Sequence, residues 1–271
     1  MITIVLNKLT PLIIKKRTQN IIKNRMKNNE YLLYYQPIID PKKNSIMGFE
    51  ALLRLNDSKE GILPPNKFIK EIEDNDMIFD VSLWILKNAI NDYKIIREYK
   101  NVINKDFYIS INVSLNEIEN EKFIKKVKEI KQESGIGRNK ICLEIVEKIR
   151  INDLFKMQQS IKSLKESGIM IAIDDFGVEY SNLDILEKLD CDMIKLDKYF
   201  IDDIERSMLR KEILDFLSNI SIATNKTIVV EGVESDDQKQ IIQDNKNTRF
   251  YIQGYYYSKP VPIEEVKNIK L

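Results

Sequence analysis

No histidine occurs in this chain of 271 residues. That absence removes Ser-His-Asp and Cys-His nucleophile systems, His-ligated zinc and imidazole acid–base chemistry in one stroke. Any catalysis must lean on carboxylates, lysine and metal-bound water. Cysteine is scarce too: Cys142 and Cys191 stand alone, without CxxC spacing or a companion cluster. Both read as buried strand residues of a protein from a reducing compartment. An excess of one charge is also missing, since 43 Lys and Arg face 42 Asp and Glu. No global field therefore recruits nucleic acid or an acidic membrane. Finally, there is no long apolar run. The stretch from Met1 to Leu12 is broken by Asn7 and Lys8, and Ile13-Ile14 leads straight into Lys15-Lys16-Arg17. It is too short for a span of ~20 residues and lacks the order of a secretory signal. The expectation is a cytoplasmic protein without stable membrane insertion. Residues 1–17 would be an N-terminal extension, with a peripheral anchor or dimer-contact helix as the alternative reading, and residues 18–271 one domain.

What the chain does have is 43% hydrophobic residues, enough for a core, arranged in short apolar runs that end in a polar group. These are Phe49-Glu50, Ile111-Asn112, Leu143-Glu144, Ala172-Ile173-Asp174-Asp175, Met193-Ile194-Lys195-Leu196-Asp197 and Val229-Val230-Glu231. A buried strand has no use for an ionised end, because desolvating an unpaired charge costs several kcal/mol. Any single such end can be the start of a solvated loop. A series of them separated by amphipathic stretches is a site.

The spacing predicts a basic helix over residues 18–30 and a hairpin of residues 31–40 and 45–55 turned by Pro41-Lys42-Lys43-Asn44. A helix-like stretch follows Pro64-Pro65, and apolar positions at helical spacing predict another helix over 79–99, with Trp84 on its core stripe. From there the rhythm is regular. Strands are expected at 107–113, 140–146, 169–173, 192–196, 227–230 and 250–252. Helices are expected at 117–134, 152–167, 181–189, 203–224 and 235–245, two of them closed by Gly135 and Gly168. Strand–helix alternation implies a parallel sheet, and this many units favour a closed barrel over an open one. A doubly wound sheet would need a Gly-rich phosphate loop after its first strand, and none is present. In a (β/α)8 barrel the strand ends meet on one face, which would gather Asn112, Glu144, Asp174, Asp175, Lys195, Glu231 and Gln253.

At these residues the sequence resembles the EAL family of cyclic-di-GMP-specific phosphodiesterases. Tyr35-Gln36-Pro37-Ile38 resembles the YQP element, and Glu50-Ala51-Leu52-Leu53-Arg54 is the signature itself. Asn112-Val113-Ser114, Leu143-Glu144-Ile145-Val146-Glu147, Asp174-Asp175-Phe176-Gly177, Lys195-Leu196-Asp197, Glu231-Gly232-Val233-Glu234, and Gln253-Gly254-Tyr255 with Ser258-Lys259-Pro260 follow in family order. The resemblance implies an α/β fold, a modified TIM barrel with one antiparallel strand. It also implies hydrolysis of cyclic di-GMP to linear pGpG with two Mg²⁺ or Mn²⁺ ions. By the same resemblance Glu50, Asn112, Glu144 and Asp174 would hold one ion, and Asp174, Asp175 and Glu231 the other. Lys195 would position or deprotonate the attacking water, its pKa lowered near the metals, and Gln253 would orient that water. Arg54 suits a forked contact with phosphate. Gln36, Leu52, Asn112, Lys195, Gln253 and Pro260 would complete the substrate contacts. Glu147, Asp197 and Glu234 would support the ligands from behind.

Three positions in two motifs depart from the family pattern. Val146 replaces a threonine, and Val178-Glu179 replaces a small residue and a glycine before Tyr180-Ser181. In the family that loop couples the metal site, the substrate and a dimer contact, so a homodimer through the loop after Asp175 is expected. The competing readings are a catalytically weak or inactive cyclic-di-GMP receptor signalling through a partner, and a metal-dependent phosphodiesterase acting on other nucleotides. No nucleic-acid polymer is expected as a partner, since no basic stripe or aromatic platform is evident. No GGDEF-like run or sensory domain is visible.

Overall fold

The computed structural model describes residues 2–102, 106–146, 153–177, 183–245 and 249–271, with residues 2–10 and 183–185 described as backbone only. In chain order the elements are α1 (Ile2–Lys27), β1 (Tyr31–Asp40), β2 (Ser45–Asp57), β3 (Gly61–Leu63), α2 (Ile69–Asp74) and α3 (Ile78–Ile96). Then come β4 (Tyr108–Val113), α4 (Leu115–Ile118), α5 (Glu121–Ser134), β5 (Ile141–Val146), α6 (Leu154–Glu166), β6 (Met170–Phe176) and α7 (Leu183–Lys188). The series closes with β7 (Met193–Leu196), α8 (Met208–Thr224), β8 (Thr227–Val230), α9 (Asp236–Asp244), β9 (Phe250–Ile252) and β10 (Val261–Pro262).

Eight strands close into a barrel. β2, β4, β5, β6, β7, β8 and β9 run parallel, while β1 pairs antiparallel with β2 on one side and with β9 on the other. The hairpin at residues 31–57 thus supplies the one antiparallel strand, as the sequence leads one to expect. Strands β3 and β10 extend β2 and β1 beyond the ring. Both are too short for a periodic signal.

Strand alternation sorts the side chains into two cores. Outward residues such as Phe49, Ile111, Leu143, Ile173, Ile194 and Val230 pack under the helices. Inward residues Ile38, Tyr108, Cys142, Ala172, Met193 and Val229 form a separate apolar plug inside the ring. Gly48 belongs to this plug: a Cβ there would lie 2.7 Å from the Tyr108 ring, so only glycine leaves room for it. Cys142 and Cys191 are both buried and unbridged, and Trp84 packs against the outer core beside Tyr31.

Three expected boundaries differ. The helix expected at 117–134 is two helices, because a Ser114–Glu117 capping box starts α4 and the Asn120 side chain caps α5. The helix expected from residue 203 begins at Met208, where Ser207 caps it, and Asp203 upstream has φ 51°. The basic helix expected from residue 18 is part of α1, which runs unbroken across positions 17 and 18.

Candidate active site

One step above the apolar plug, the same inward alternation switches from apolar to ionisable. Two residues on from Cys142, Ala172, Met193 and Val229 stand Glu144, Asp174, Lys195 and Glu231. Two on from Gly48 and Tyr251 stand Glu50 and Gln253, and two back from Ile38 on the antiparallel strand stands Gln36. The strand periodicity itself therefore builds a polar layer at the C-terminal mouth of the barrel, where sites of this architecture lie.

At the centre of that layer is the Lys195 ammonium, almost fully buried. It lies 2.6 Å from Glu231 Oε1, 2.7 Å from Glu144 Oε2 and 3.3 Å from both Glu50 Oε2 and Asp174 Oδ1. Asn112 Nδ2 donates to Glu50 Oε1 at 2.7 Å, and Gln253 Nε2 donates to Glu50 Oε2 at 2.6 Å. Gln253 also reaches Gln36 Oε1 at 3.2 Å, and Gln36 in turn donates to the Ser258 carbonyl. These contacts knit β1, β2, β4 and β9 to β7.

Asp174 and Asp175 are adjacent, so regular alternation would send them to opposite faces. The register slips between Ile173 and Phe176, and Asp175 takes a left-handed φ of 53°. That bulge re-aims the pair. Ligand atoms of Asp174, Asp175 and Glu231 come within 4.8 Å of one another, a spacing that can hold a metal ion. Just past the bulge, Gly177 has φ 101°, and a Cβ on it would lie 2.0 Å from the Phe200 ring.

The charges are out of balance. Burial pushes the Glu144 carboxyl well above the usual range, and the Glu50 and Asp174 charges add to the rise. Burial likewise raises Asp174, and raises Glu231 to about 8, against the lowering effect of Lys195. Glu50 goes the other way: burial would raise it, but Lys195, Gln253 and Asn112 together hold it below its ordinary value. For Lys195, burial would lower the ammonium, yet Asp174, Glu144, Glu231 and Glu50 raise it well above 10.5. One ammonium facing four carboxylates is the cause. A surplus of hard oxygen donors around one cation, with Asp174 Oδ1 lacking a hydrogen-bond donor, is the chemistry that Mg²⁺ or Mn²⁺ would satisfy.

The other expected residues are spread more widely. Arg54 and Leu52 stand above Glu50 on the same face of β2, half-buried at the rim. The Arg54 guanidinium donates to the Leu53 carbonyl and lies 5.6 Å from the Tyr34 ring centroid. Pro260 is half-buried immediately before β10. Asp197 caps the turn at 198–200 by accepting from the Tyr199 amide at 2.8 Å. Glu234 is exposed and is not brought into the cluster. Glu147, Val178 and Glu179 lie outside the described residues. Sequence reading missed Ser110, which sits fully buried between Glu50 and Cys142 in the register, its hydroxyl without a hydrogen-bond partner. Counting back two from Asn112 would have found it.

A family model described as the EAL domain matches residues 19–260. Among curated proteins, the chain is 33% identical over 244 residues to the Escherichia coli (strain K12) protein named "Probable cyclic di-GMP phosphodiesterase PdeI", covering 89% of this chain and 30% of that one. It is 28% identical over 252 residues to the signaling protein YkoW of Bacillus subtilis (strain 168), covering 93% and 31%. The chain thus spans about a third of the length of these relatives. Among solved structures, the EAL enzyme Bd1971 in its cAMP- and cyclic-di-GMP-bound form superposes with a TM-score of 0.84 at 27% identity, covering 99% of this chain and 74% of that one. An EAL domain protein from Listeria monocytogenes EGD-e gives 0.81 at 29%, covering 91% and 95%. The match over residues 19–260, with the signature glutamate in the central charge cluster, means that the chain belongs to the EAL domain family.

Proposed function

We propose that this EAL domain hydrolyses one phosphodiester bond of cyclic di-GMP, releasing linear pGpG, with two Mg²⁺ or Mn²⁺ ions. The observation that carries the reading is the convergence of Glu50, Glu144, Asp174 and Glu231 on one buried layer, with Asp175 turned to the same mouth. The names of PdeI and of the Bd1971 complex support the choice of substrate. Glu50, Asn112, Glu144 and Asp174 would hold the first ion, and Asp174, Asp175 and Glu231 the second. Bound there, hard divalent cations would neutralise phosphate charge and make water acidic enough to attack.

The protein's own groups do the rest. Lys195, set among the proposed metal ligands, would position or deprotonate the attacking water. Gln253 and Asn112 fix the Glu50 carboxylate from two sides, so this oxygen pair meets its partner pre-oriented. Arg54, half-buried at the rim with several free donors, engages a phosphate of the ring, and Gln36 holds the adjoining edge. A reaction on this second messenger places the domain in the cytoplasm. Glu50→Ala and Asp175→Asn should each abolish metal-dependent turnover while circular dichroism shows the fold retained. Turnover within a few-fold of the parent in either variant would remove the two-metal assignment.

A further inference from the structure

Beneath the layer of carboxylates, β4 carries two inward-facing hydroxyls that have no hydrogen-bond partner, Ser110 Oγ and Tyr108 Oη. Tyr108 belongs to the apolar plug, and its ring lies over Gly48. Ser110 stands one inward step higher and is fully buried. A buried hydroxyl that makes no hydrogen bond has lost water and gained nothing in exchange. Alanine would fill nearly the same space without that penalty, so packing alone does not account for a serine at this position.

The surroundings of Ser110 set it apart from Tyr108. Ser110 is the direct register partner of Glu50 on β2. Asn112 stands one inward step above it on the same strand. Its partner on β5 is Cys142, one inward step below Glu144. Ser110 is therefore bordered by three of the four residues proposed for the first ion. Paired strands lie about 4.8 Å apart, so a serine hydroxyl can turn to a neighbouring side chain by a change of rotamer. An ionised carboxylate accepts up to about four hydrogen bonds. Glu50 takes three, from Asn112 at 2.7 Å, Gln253 at 2.6 Å and Lys195 at 3.3 Å. The lysine contact is the long one, and the same ammonium lies closer to Glu144 and Glu231. A divalent cation among these carboxylates competes with that ammonium for the same oxygens, which makes Lys195 the partner that Glu50 gives up.

We propose that Ser110 is a positioning residue for the first ion: its hydroxyl donates to the Glu50 carboxylate when that carboxylate exchanges Lys195 for a divalent cation. Without metal the hydroxyl costs stability; with metal it steadies a ligand, as the outer partners of metal ligands do. The inference rests on the two-ion reading given above.

The test is isothermal titration of the whole chain with Mn²⁺ alone, beside thermal melts in chelator, for the parent, Ser110→Ala and Tyr108→Phe. In chelator Ser110→Ala should melt about 2–4 °C higher than the parent, because the unpartnered hydroxyl is gone. It should nevertheless bind Mn²⁺ roughly tenfold more weakly. Tyr108→Phe removes the other unpartnered hydroxyl, which is paired in register with Gly48 rather than with a ligand. It should also melt higher, with Mn²⁺ affinity unchanged. Equal Mn²⁺ affinity in the parent and Ser110→Ala would overturn the proposal, as would an equal loss in both variants. A lower melting temperature for Ser110→Ala in chelator would do the same, since the hydroxyl would then be at work without metal. A parent that binds no Mn²⁺ would remove the two-ion reading and this inference with it.

Discussion

Without bound metal, the folded protein should lose stability as pH rises from about 5 to about 8, with the Glu231 carboxyl carrying much of the loss. Burial, helped by the Asp174 and Glu50 charges, raises this group from 4.5 to about 8 despite Lys195. A group whose pKa is higher folded than unfolded favours the fold fully only below its unfolded value. That advantage fades as pH climbs toward the folded one. At about 1.4 kcal/mol per unit the gap corresponds to a ceiling of about 5 kcal/mol. The Glu231 side chain keeps 22% exposure and titrates together with its neighbours, so about 2 kcal/mol is the expected realised loss. For a domain of this size that lowers the melting temperature by about 4–8 °C. Glu144 and Asp174, also raised by burial, add to the same slope, and other groups add little. The chain has no histidine, Lys195 is held protonated well above this window, and Glu50 is lowered and already ionised. Thermal melts in chelator across the pH range read the slope directly, and Glu231→Gln should reduce it. Mn²⁺ should stabilise most at the alkaline end, because it binds the ionised carboxylates. A melting temperature that is flat or rises with pH in chelator, or a slope unchanged by Glu231→Gln, would refute the reasoning.

Two further outcomes follow from the loop beyond β6. Gly177→Ala should destabilise by about 2–4 kcal/mol, from backbone strain and the clash with Phe200, and Phe200→Leu should return part of it; denaturant melts of the single and double variants measure this. Glu179→Gly should leave turnover unchanged or raised, and a large loss in a steady-state assay would show that this glutamate has a working role.

The barrel and its site were legible in the sequence to different degrees. Strand ends such as Leu143-Glu144 and Val229-Val230-Glu231 announced themselves because an ionisable group after a buried run has few uses other than a site. The antiparallel β1 was legible through the Pro41–Asn44 turn. The pairing of Asp174 with Asp175 was expected from the family motif, but the bulge that lets two adjacent strand residues share the mouth was not legible, since adjacency in a strand predicts opposite faces. The surroundings of Lys195 were hidden as well, because they depend on four carboxylates distant in sequence meeting at one point. The division at Asn120 was present as a capping signal, but the amphipathic pattern running across it masked the break.

The central claim is tested most directly by timed incubation of the purified protein with cyclic di-GMP in Mg²⁺, in Mn²⁺ and in chelator, with products resolved by chromatography. The account predicts pGpG accumulating with either metal and stopping in chelator. Tight binding of cyclic di-GMP with no pGpG in either metal would contradict it and make the domain a receptor.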